Sequence, residues 1–168
     1  MAARLPVMQC ELSGAQATVD FGQRLAIARP QGKAFASIWL TGDLGAGKTT
    51  LARGFLRACG VSEMIRSPTY TLMEIHETPE LTLLHLDLYR LSSPEELEPL
   101  GLREWAAPGC MWLIEWPERA PQLLPPADLL LRLTAGSNSH ALVASAGSPL
   151  GESWLARCAG IELRQLTP

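Results

Sequence analysis

Hydrophobic and polar positions change their spacing several times along the chain, and each change predicts a different element. Residues 5–11 are predicted to form a short strand. Phe21, Leu25 and Ala28 then recur at helical spacing, which gives an apolar face to the helix they predict. The apolar run of residues 35–40 is unbroken, as is typical of a strand buried on both faces. The chain therefore opens as strand, helix and strand.

A second helix is predicted directly after the glycine-rich turn at residues 41–47. Four apolar side chains fall on one face of this helix, namely Leu51, Ala52, Phe55 and Cys59. Gly60 is a natural stop, because glycine readily adopts the left-handed conformation that ends many helices. The order strand, turn and helix is the one that a phosphate-binding loop requires.

The remaining segments predict a sheet with both parallel and antiparallel pairs. Strands are predicted at 70–76, 81–89, 111–116, 129–133 and 140–146, and a short helix at 151–158. Residues 77–80 alone join the first two of these strands, and so short a connection fits an antiparallel pair. The last two strands are predicted to form a hairpin around residues 136–139.

Two serines show the pattern of a helix N-cap. Ser13 with Gln16 three positions later matches a capping box for the first helix. Ser93 is followed by Pro94 at the first helical position and Glu96 at the third, which predicts a further helix.

Composition is that of an ordinary globular protein and limits the partners of the chain. Its 168 residues, enough for one domain over 1–168, are 47% apolar and 18% charged, with a mean hydropathy of +0.09. The net charge of −3 argues against sequence-independent binding to DNA or RNA, so any nucleic-acid role is expected to run through a partner. No apolar run approaches the roughly 20 residues of a membrane helix, and no signal peptide is recognisable. We therefore expect a cytoplasmic protein with no membrane role.

The cysteines and histidines give no sign of a metal site. Cys10, Cys59, Cys110 and Cys158 are widely separated and form no C-x-x-C pair, so we expect small buried thiols. The three histidines lack zinc-ligand spacing.

Nine consecutive residues at the turn give the strongest functional signal. They match the pattern G-x-x-x-x-G-K-[ST] and the position after it, and they are Gly42, Asp43, Leu44, Gly45, Ala46, Gly47, Lys48, Thr49 and Thr50. In such a loop, successive backbone N–H groups point at phosphate oxygens, and the following helix adds the partial charge of its N-terminus. Lys48 is expected to reach the β- and γ-phosphates, Thr49 to bind Mg²⁺ and Thr50 to donate to the α-phosphate. The sequence therefore predicts an α/β protein with a P-loop NTPase fold, a mixed sheet flanked by helices, and ATP and Mg²⁺ as ligands.

Two acidic residues follow predicted buried strands. A P-loop site needs such a carboxylate on a neighbouring strand to hold Mg²⁺ or to polarise the attacking water. Asp87 ends the apolar run at 83–86, although it also fits an aspartate that caps the next turn. Glu115 ends the run at 111–114, and for it the sequence alone leaves a functional and an incidental role equally open.

Ser67 and Thr69 flank Pro68 between the P-loop helix and the next strand. Nucleotide-dependent proteins often place a segment that senses the γ-phosphate at this point. A plain Ser-Pro turn is the alternative. Trp116, next to Glu115, fits a core or rim aromatic as well as a nucleotide contact.

Five motifs, taken in order, resemble one known family. They are the loop at 42–50, Ser-Pro-Thr-Tyr-Thr-Leu at 67–72, His-Leu-Asp-Leu-Tyr-Arg at 85–90, Pro-Glu-Glu-Leu at 94–97 and Glu-Trp-Pro at 115–117. Over residues 10–135 their order and spacing are similar to those of the TsaE (YjeE) family of bacterial tRNA threonylcarbamoyladenosine biosynthesis ATPases. The late hairpin departs from the family, because residues 137–140 lack the Gly-Arg pair that members often have near the nucleotide. No nucleotide contact is assigned there.

The resemblance implies an ATPase that is weak alone and works with the TsaB and TsaD proteins. That complex places the threonylcarbamoyl group on adenosine 37 of tRNAs reading codons that begin with A, and ATP hydrolysis supports repeated turnover. By position, Lys48 and Thr49 match phosphate and Mg²⁺ residues, Glu115 matches a Mg²⁺ ligand, and Asp87 matches the acidic residue near the γ-phosphate and the metal. The remaining matches are Ser67 and Thr69 in a switch-like segment and Trp116 beside the site.

Two other functions stay open on the residues alone. One is a small-molecule kinase, although no Arg-rich lid segment to clamp a transferred phosphoryl group is visible. The other is a non-catalytic scaffold whose shape is set by bound ATP. A GTPase is disfavoured, because Lys33, the one lysine outside the loop, does not lie in an Asn/Thr-Lys-x-Asp segment.

Overall fold

The computed structural model describes residues 7–161, which form a seven-stranded sheet with helices packed on it. The strands are β1 Val7–Leu12, β2 Ala36–Gly42, β3 Met73–Glu77, β4 Thr82–Asp87, β5 Cys110–Glu115, β6 Leu129–Ala135 and β7 His140–Ala146. The helices are α1 Gly14–Ile27, α2 Lys48–Ala58, α3 Leu102–Trp105 and α4 Pro149–Ala159, with 3₁₀ helices at Pro94–Leu100, Pro117–Arg119 and Pro121–Leu123. The predicted α/β fold class is confirmed.

The sheet is mixed, with a parallel centre and antiparallel edges. Its strand order is β1-β7-β6-β2-β5-β4-β3. β2 pairs in parallel with both β5 and β6, and β4 pairs in parallel with β5. The pairs β3–β4, β6–β7 and β1–β7 are antiparallel, which confirms both predicted hairpins. The carboxyl ends of β2, β4 and β5 therefore meet at one edge, and the register sets Asp87 beside Glu115.

Both faces of the sheet are covered, which accounts for the unbroken apolar runs in the sequence. On one face, Leu83 and Leu113 pack with buried residues of α1, α2 and α4. On the other face, Leu84 and Ile114 pack with residues of α3 and of the 3₁₀ helix Pro94–Leu100. Since side chains alternate along a strand, the odd-numbered residues of β4 lie on the side of the P-loop helix.

Helices α1 and α2 cross at two glycines. A Cβ atom added at Gly22 would lie 2.3 Å from the carbonyl oxygen of Leu51. One added at Gly54 would lie 2.3 Å from the carbonyl oxygen of Val19. Real Cβ atoms do not approach oxygen so closely, so the crossing requires glycine at both positions. This contact fixes how α2, with the phosphate loop at its start, lies on the sheet.

The predicted capping box at Ser13 is wrong, although the helix it announces is present. Ser13 makes no side-chain cap hydrogen bond, and the Gln16 amide donates instead to Asp20 Oδ1 at 2.8 Å. The capping box at Ser93 is confirmed, but it opens a 3₁₀ helix. Pro99 accounts for the difference, because its ring and its missing N–H oppose a regular α-helix.

Other boundaries differ from the prediction by a few residues. β3 begins at Met73 because Leu72, with φ of 65°, donates its N–H to the carbonyl of Pro68 at 2.7 Å and closes a turn. Residues 5 and 6 of the first predicted strand lie outside the described part of the chain.

All four cysteines are free thiols. Within residues 7–161, no helix has the length and apolar character needed to cross a membrane.

Candidate functional site

The phosphate loop connects β2 to α2 and depends on glycine at three points. Gly42, Gly45 and Gly47 have φ values of 129°, 79° and 101°, in the left-handed region that other residues avoid. At Gly42 an added Cβ would also lie 1.9 Å from the carbonyl oxygen of Leu133 on β6. The glycines that the motif required are therefore imposed by backbone conformation and, at Gly42, by lack of space.

A cavity of about 520 Å³ opens at the start of α2. The predicted site residues on its wall are Leu44, Gly45, Gly47, Lys48, Thr49, Thr50, Ser67, Thr69, Asp87, Glu115 and Trp116. Gly42 and Asp43 line a neighbouring cavity on the other side of Trp116. Ala46 is buried among core residues, and its N–H donates to the Asp43 carbonyl at 3.1 Å. The structure thus brings eleven of the fourteen predicted residues to one cavity.

Lys48 is 4% exposed and folds back over its own loop. Its ammonium donates to the carbonyl oxygens of Gly42 at 2.6 Å and Asp43 at 2.7 Å. The Nζ atom also lies 4.1 Å from the centre of the Trp116 ring, a cation–π contact. Burial lowers the pKa of Lys48, and the nearby Glu115 carboxylate opposes that shift.

Glu115, at the end of β5, is held by contacts to both of its oxygens. Oε2 accepts a hydrogen bond from the hydroxyl of Thr49 at 2.8 Å. Oε1 lies 2.8 Å from Nε2 of His85 on β4. The carboxylate is 2% exposed, and its charge is directed at the first turn of α2.

Asp87, at the end of β4, binds the segment between α2 and β3. Its Oδ2 accepts from the hydroxyls of Ser67 at 2.9 Å and Thr69 at 2.7 Å. Its Oδ1 accepts from the N–H of Tyr89 at 3.0 Å. One oxygen of Asp87 therefore caps the next turn, as the alternative interpretation expects, while the residue also lines the cavity. Its role toward a nucleotide stays a prediction.

Trp116 adopts a left-handed backbone conformation, with φ of 59° and ψ of 46°. Its ring packs against Tyr89, with centroids 5.0 Å apart, and against the Lys48 ammonium. A non-glycine residue in this conformation is strained, and such strain concentrates at functional sites. The indole separates the two cavities beside the loop.

Three residues of the site were not assigned from the sequence. Tyr89 and Arg90 line the cavity, and the Arg90 guanidinium lies 4.3 Å from the centre of the exposed Tyr70 ring. His85 contacts Glu115 from within the core. A signal was present for His85, because it precedes Asp87 by two positions and strand alternation puts both on one face.

The donor set fits a magnesium ion. The Thr49 hydroxyl and the carboxylates of Glu115 and Asp87 all line the one cavity. Mg²⁺ prefers such oxygen ligands and is usually held by one or two carboxylates together with substrate phosphates. The residues present are therefore suited to hold Mg²⁺ beside a triphosphate.

The chain matches the family model described as "Threonylcarbamoyl adenosine biosynthesis protein TsaE" over residues 12–142. It is 41% identical over 116 residues to the tRNA threonylcarbamoyladenosine biosynthesis protein TsaE of Haemophilus influenzae, covering 69% of this chain and 73% of that protein. With the protein of the same name from Treponema pallidum it is 34% identical over 139 residues, covering 82% of this chain and 100% of the relative.

The fold is similar to a solved structure titled "Crystal structure of Bacillus subtilus YdiB", with a TM-score of 0.78. The two chains are 24% identical, and the match covers 95% of this chain and 98% of the other. At that identity the likeness shows the fold alone. The family model and the curated relatives decide the family: the chain belongs to the TsaE family of threonylcarbamoyl adenosine biosynthesis proteins.

Proposed function

We propose that this chain binds and hydrolyses ATP with Mg²⁺ and thereby serves threonylcarbamoylation of adenosine 37 in tRNAs that read codons beginning with A. The observation that supports this most directly is the 2.8 Å contact between Thr49 and Glu115. It joins the hydroxyl at the start of the P-loop helix to a buried carboxylate on the adjacent strand, as a nucleotide-bound Mg²⁺ requires. Membership of the TsaE family connects the site with tRNA modification.

In this proposal the loop from Gly42 to Gly47 holds the phosphates with its backbone N–H groups. Lys48 leaves the loop carbonyls to bind the β- and γ-phosphates, and Thr50 donates to the α-phosphate. Thr49 and Glu115 hold Mg²⁺. When bound, Mg²⁺ neutralises charge on the phosphate oxygens.

Asp87 has a different role in the proposal. Its Oδ2 already accepts from Ser67 and Thr69, so it connects the cavity to the segment that precedes β3. It would orient the attacking water near the γ-phosphate and would serve as a second carboxylate for Mg²⁺. Ser67 and Thr69 sense the γ-phosphate through this contact, and Trp116 flanks the lysine.

We further propose that the protein acts in the cytoplasm as one domain with the TsaB and TsaD proteins. A net charge of −3 gives little attraction for tRNA phosphates. Contact with tRNA is therefore made through the complex.

The central experiment measures ATP hydrolysis by the purified chain with and without TsaB, TsaD and tRNA. We expect slow turnover alone and faster turnover in the complex. An unchanged rate, together with failure to co-purify either protein, contradicts the proposal. Labelled ATP should release only free phosphate, whereas label on a small acceptor would identify a kinase.

The two carboxylates can be separated by substitution. Glu115→Gln should weaken Mg²⁺-dependent ATP binding, while Asp87→Asn should lower kcat by about 100-fold with a smaller effect on binding. Glu98→Gln is the matched control, because Glu98 is exposed on the 3₁₀ helix and lies outside the cavity. If both site variants keep full tRNA modification in the complex, the ATP-gated scaffold replaces the ATPase.

A further inference from the structure

His85 is a histidine in a strand of leucines. It lies on β4 and is fully buried, at 0% exposure. Leu84 and Leu86 point into the core of the opposite face, while Leu83, His85 and Asp87 lie on the side of α2. A leucine would fill this position without desolvating a polar ring, so packing alone does not account for the histidine.

The polar contact of His85 is with Glu115. Its Nε2 lies 2.8 Å from Glu115 Oε1, and the other oxygen of the same carboxylate accepts from Thr49. The Nδ1 atom has no hydrogen-bond partner among residues 7–161. Because a buried N–H without an acceptor is costly, the ring proton belongs on Nε2, where the carboxylate accepts it.

The two contacts together fix the plane of the carboxylate. A glutamate side chain has three rotatable bonds, and one hydrogen bond to Oε2 leaves the group free to turn about that contact. The second hydrogen bond, to Oε1, removes this freedom. It also satisfies an oxygen that would otherwise be buried with an unpaired charge.

We propose that His85 is a positioning residue that holds the Glu115 carboxylate in the orientation in which it binds nucleotide-bound Mg²⁺. This inference rests on the proposed function, since it assigns a partner to the proposed metal ligand. Groups that orient a metal ligand in this way typically change metal affinity by about 10- to 100-fold when they are removed. His85 does not line the cavity and acts through Glu115.

The test compares His85→Leu with His85→Gln. Leucine keeps the bulk and loses the donor, whereas the Gln amide nitrogen can occupy the place of Nε2 and donate to Oε1. The matched control is His76→Leu, because His76 is also buried and contacts a carboxylate, Glu63, at 2.6 Å, but lies outside the cavity.

Calorimetry gives the affinity for ATP in EDTA and over a series of Mg²⁺ concentrations, and electron paramagnetic resonance follows Mn²⁺ binding with ATP present. For His85→Leu we expect an ATP affinity in EDTA close to that of the unmodified protein. The gain in ATP affinity on adding Mg²⁺ should be about 10- to 100-fold smaller than in the unmodified protein. His85→Gln should recover most of that gain, and His76→Leu should retain all of it.

Several outcomes overturn the inference. One is an unchanged metal response of a folded His85→Leu, and another is a His85→Gln as impaired as His85→Leu. In both of these cases the proposed function still stands. If instead the unmodified protein gains no ATP affinity from metal, the proposed function fails together with the inference.

Should His85→Leu not fold, nitrogen NMR of the unmodified protein decides. We expect the Nε2–H tautomer of His85 and a change in the Nε2 chemical shift on adding Mg²⁺ with ATP. An Nδ1–H tautomer, or an unchanged chemical shift, counts against the inference.

Discussion

At the scale of single residues, the site combines groups that a motif predicts with groups that only the fold brings together. The loop residues and Thr49 follow from a pattern of adjacent positions. Asp87 and Glu115 were predicted because a P-loop site needs a carboxylate at the end of a neighbouring strand, and the register places the two side by side. His85 was missed, because a lone histidine in an apolar run usually belongs to the core, and only the β4–β5 pairing shows its contact with Glu115.

Lys48 should dominate nucleotide affinity. We expect Lys48→Ala to weaken ATP binding by at least about 100-fold, since hydrogen bonds to charged groups contribute about 1.5–3 kcal/mol each and the proposed function assigns two phosphates to Lys48. Calorimetry measures the loss. Lys33→Ala is the control, because Lys33 is exposed and lines a different cavity from the proposed nucleotide site. Retained affinity in the Lys48 variant would reject its assigned role.

The loop glycines should differ in their tolerance of a side chain. Gly45 has open space around its Cβ position, so Gly45→Ala should cost only the left-handed backbone, about 1–2 kcal/mol. Gly42→Ala should cost more than about 4 kcal/mol, because the methyl group also meets the Leu133 carbonyl at 1.9 Å. Urea unfolding measures the loss of stability in each variant. Equal losses would show that the loop at Gly42 is not in tight contact with β6.

At the scale of elements, the periodic segments were predicted well and their ends less well. The Ser93 capping box and the late hairpin are confirmed, since each depends on residues close in sequence. The prediction of a capping box at Ser13 was wrong because the Gln16 amide donates instead to Asp20, one helical turn further on. The helix crossing at Gly22 and Gly54 was not foreseen, because a glycine inside a helix does not reveal which backbone lies against it.

That crossing should be sensitive to one methyl group. Alanine is the better helix former by about 1 kcal/mol, yet we expect Gly54→Ala to destabilise the protein by about 1–3 kcal/mol, because α1 must move away. Since α2 begins with Lys48 and Thr49, ATP affinity should fall too. Arg53→Ala, on the exposed side of the same helix, should change stability by less than about 0.5 kcal/mol. Equal stability of the two variants in urea would contradict the tight crossing.

At the scale of the whole molecule, the buried thiols of Cys59 and Cys158 should make stability depend on pH in the alkaline range. Burial raises the pKa of Cys59 and of Cys158 from 9.0 to about 11. Well below pH 9.0 both thiols are protonated in the folded and unfolded chains, so they add no pH dependence. Above it the unfolded chain loses its protons first, so the free energy of unfolding should fall between pH 9.0 and about 11.

Urea unfolding at several pH values across this interval measures the decline. The double variant Cys59→Ala with Cys158→Ala should be less stable at neutral pH but should show a flatter decline. Lys48 changes the pH dependence of the free energy of unfolding in the opposite direction, because burial lowers its pKa. This contribution is the same in the double variant and in the unmodified protein. An equally steep decline in the double variant would assign the effect to other groups.

The order of the strands could not be obtained from the sequence. Local spacing predicts that strands exist and that neighbours joined by short turns are antiparallel. The placement of β2 between β5 and β6 depends on pairings between distant segments, for which the sequence offers no local sign.

This placement of β2 also has a consequence for how the chain acquires its structure. The strand before the phosphate loop pairs with β5 and β6, which both follow Gly109, so a growing chain has no partner strand for β2 until β5 has been made. Contacts between distant segments form slowly, because a long loop must close before they give any stabilisation. The proposed nucleotide pocket should therefore form late relative to α2, and ATP should recognise only a chain that already extends past β5.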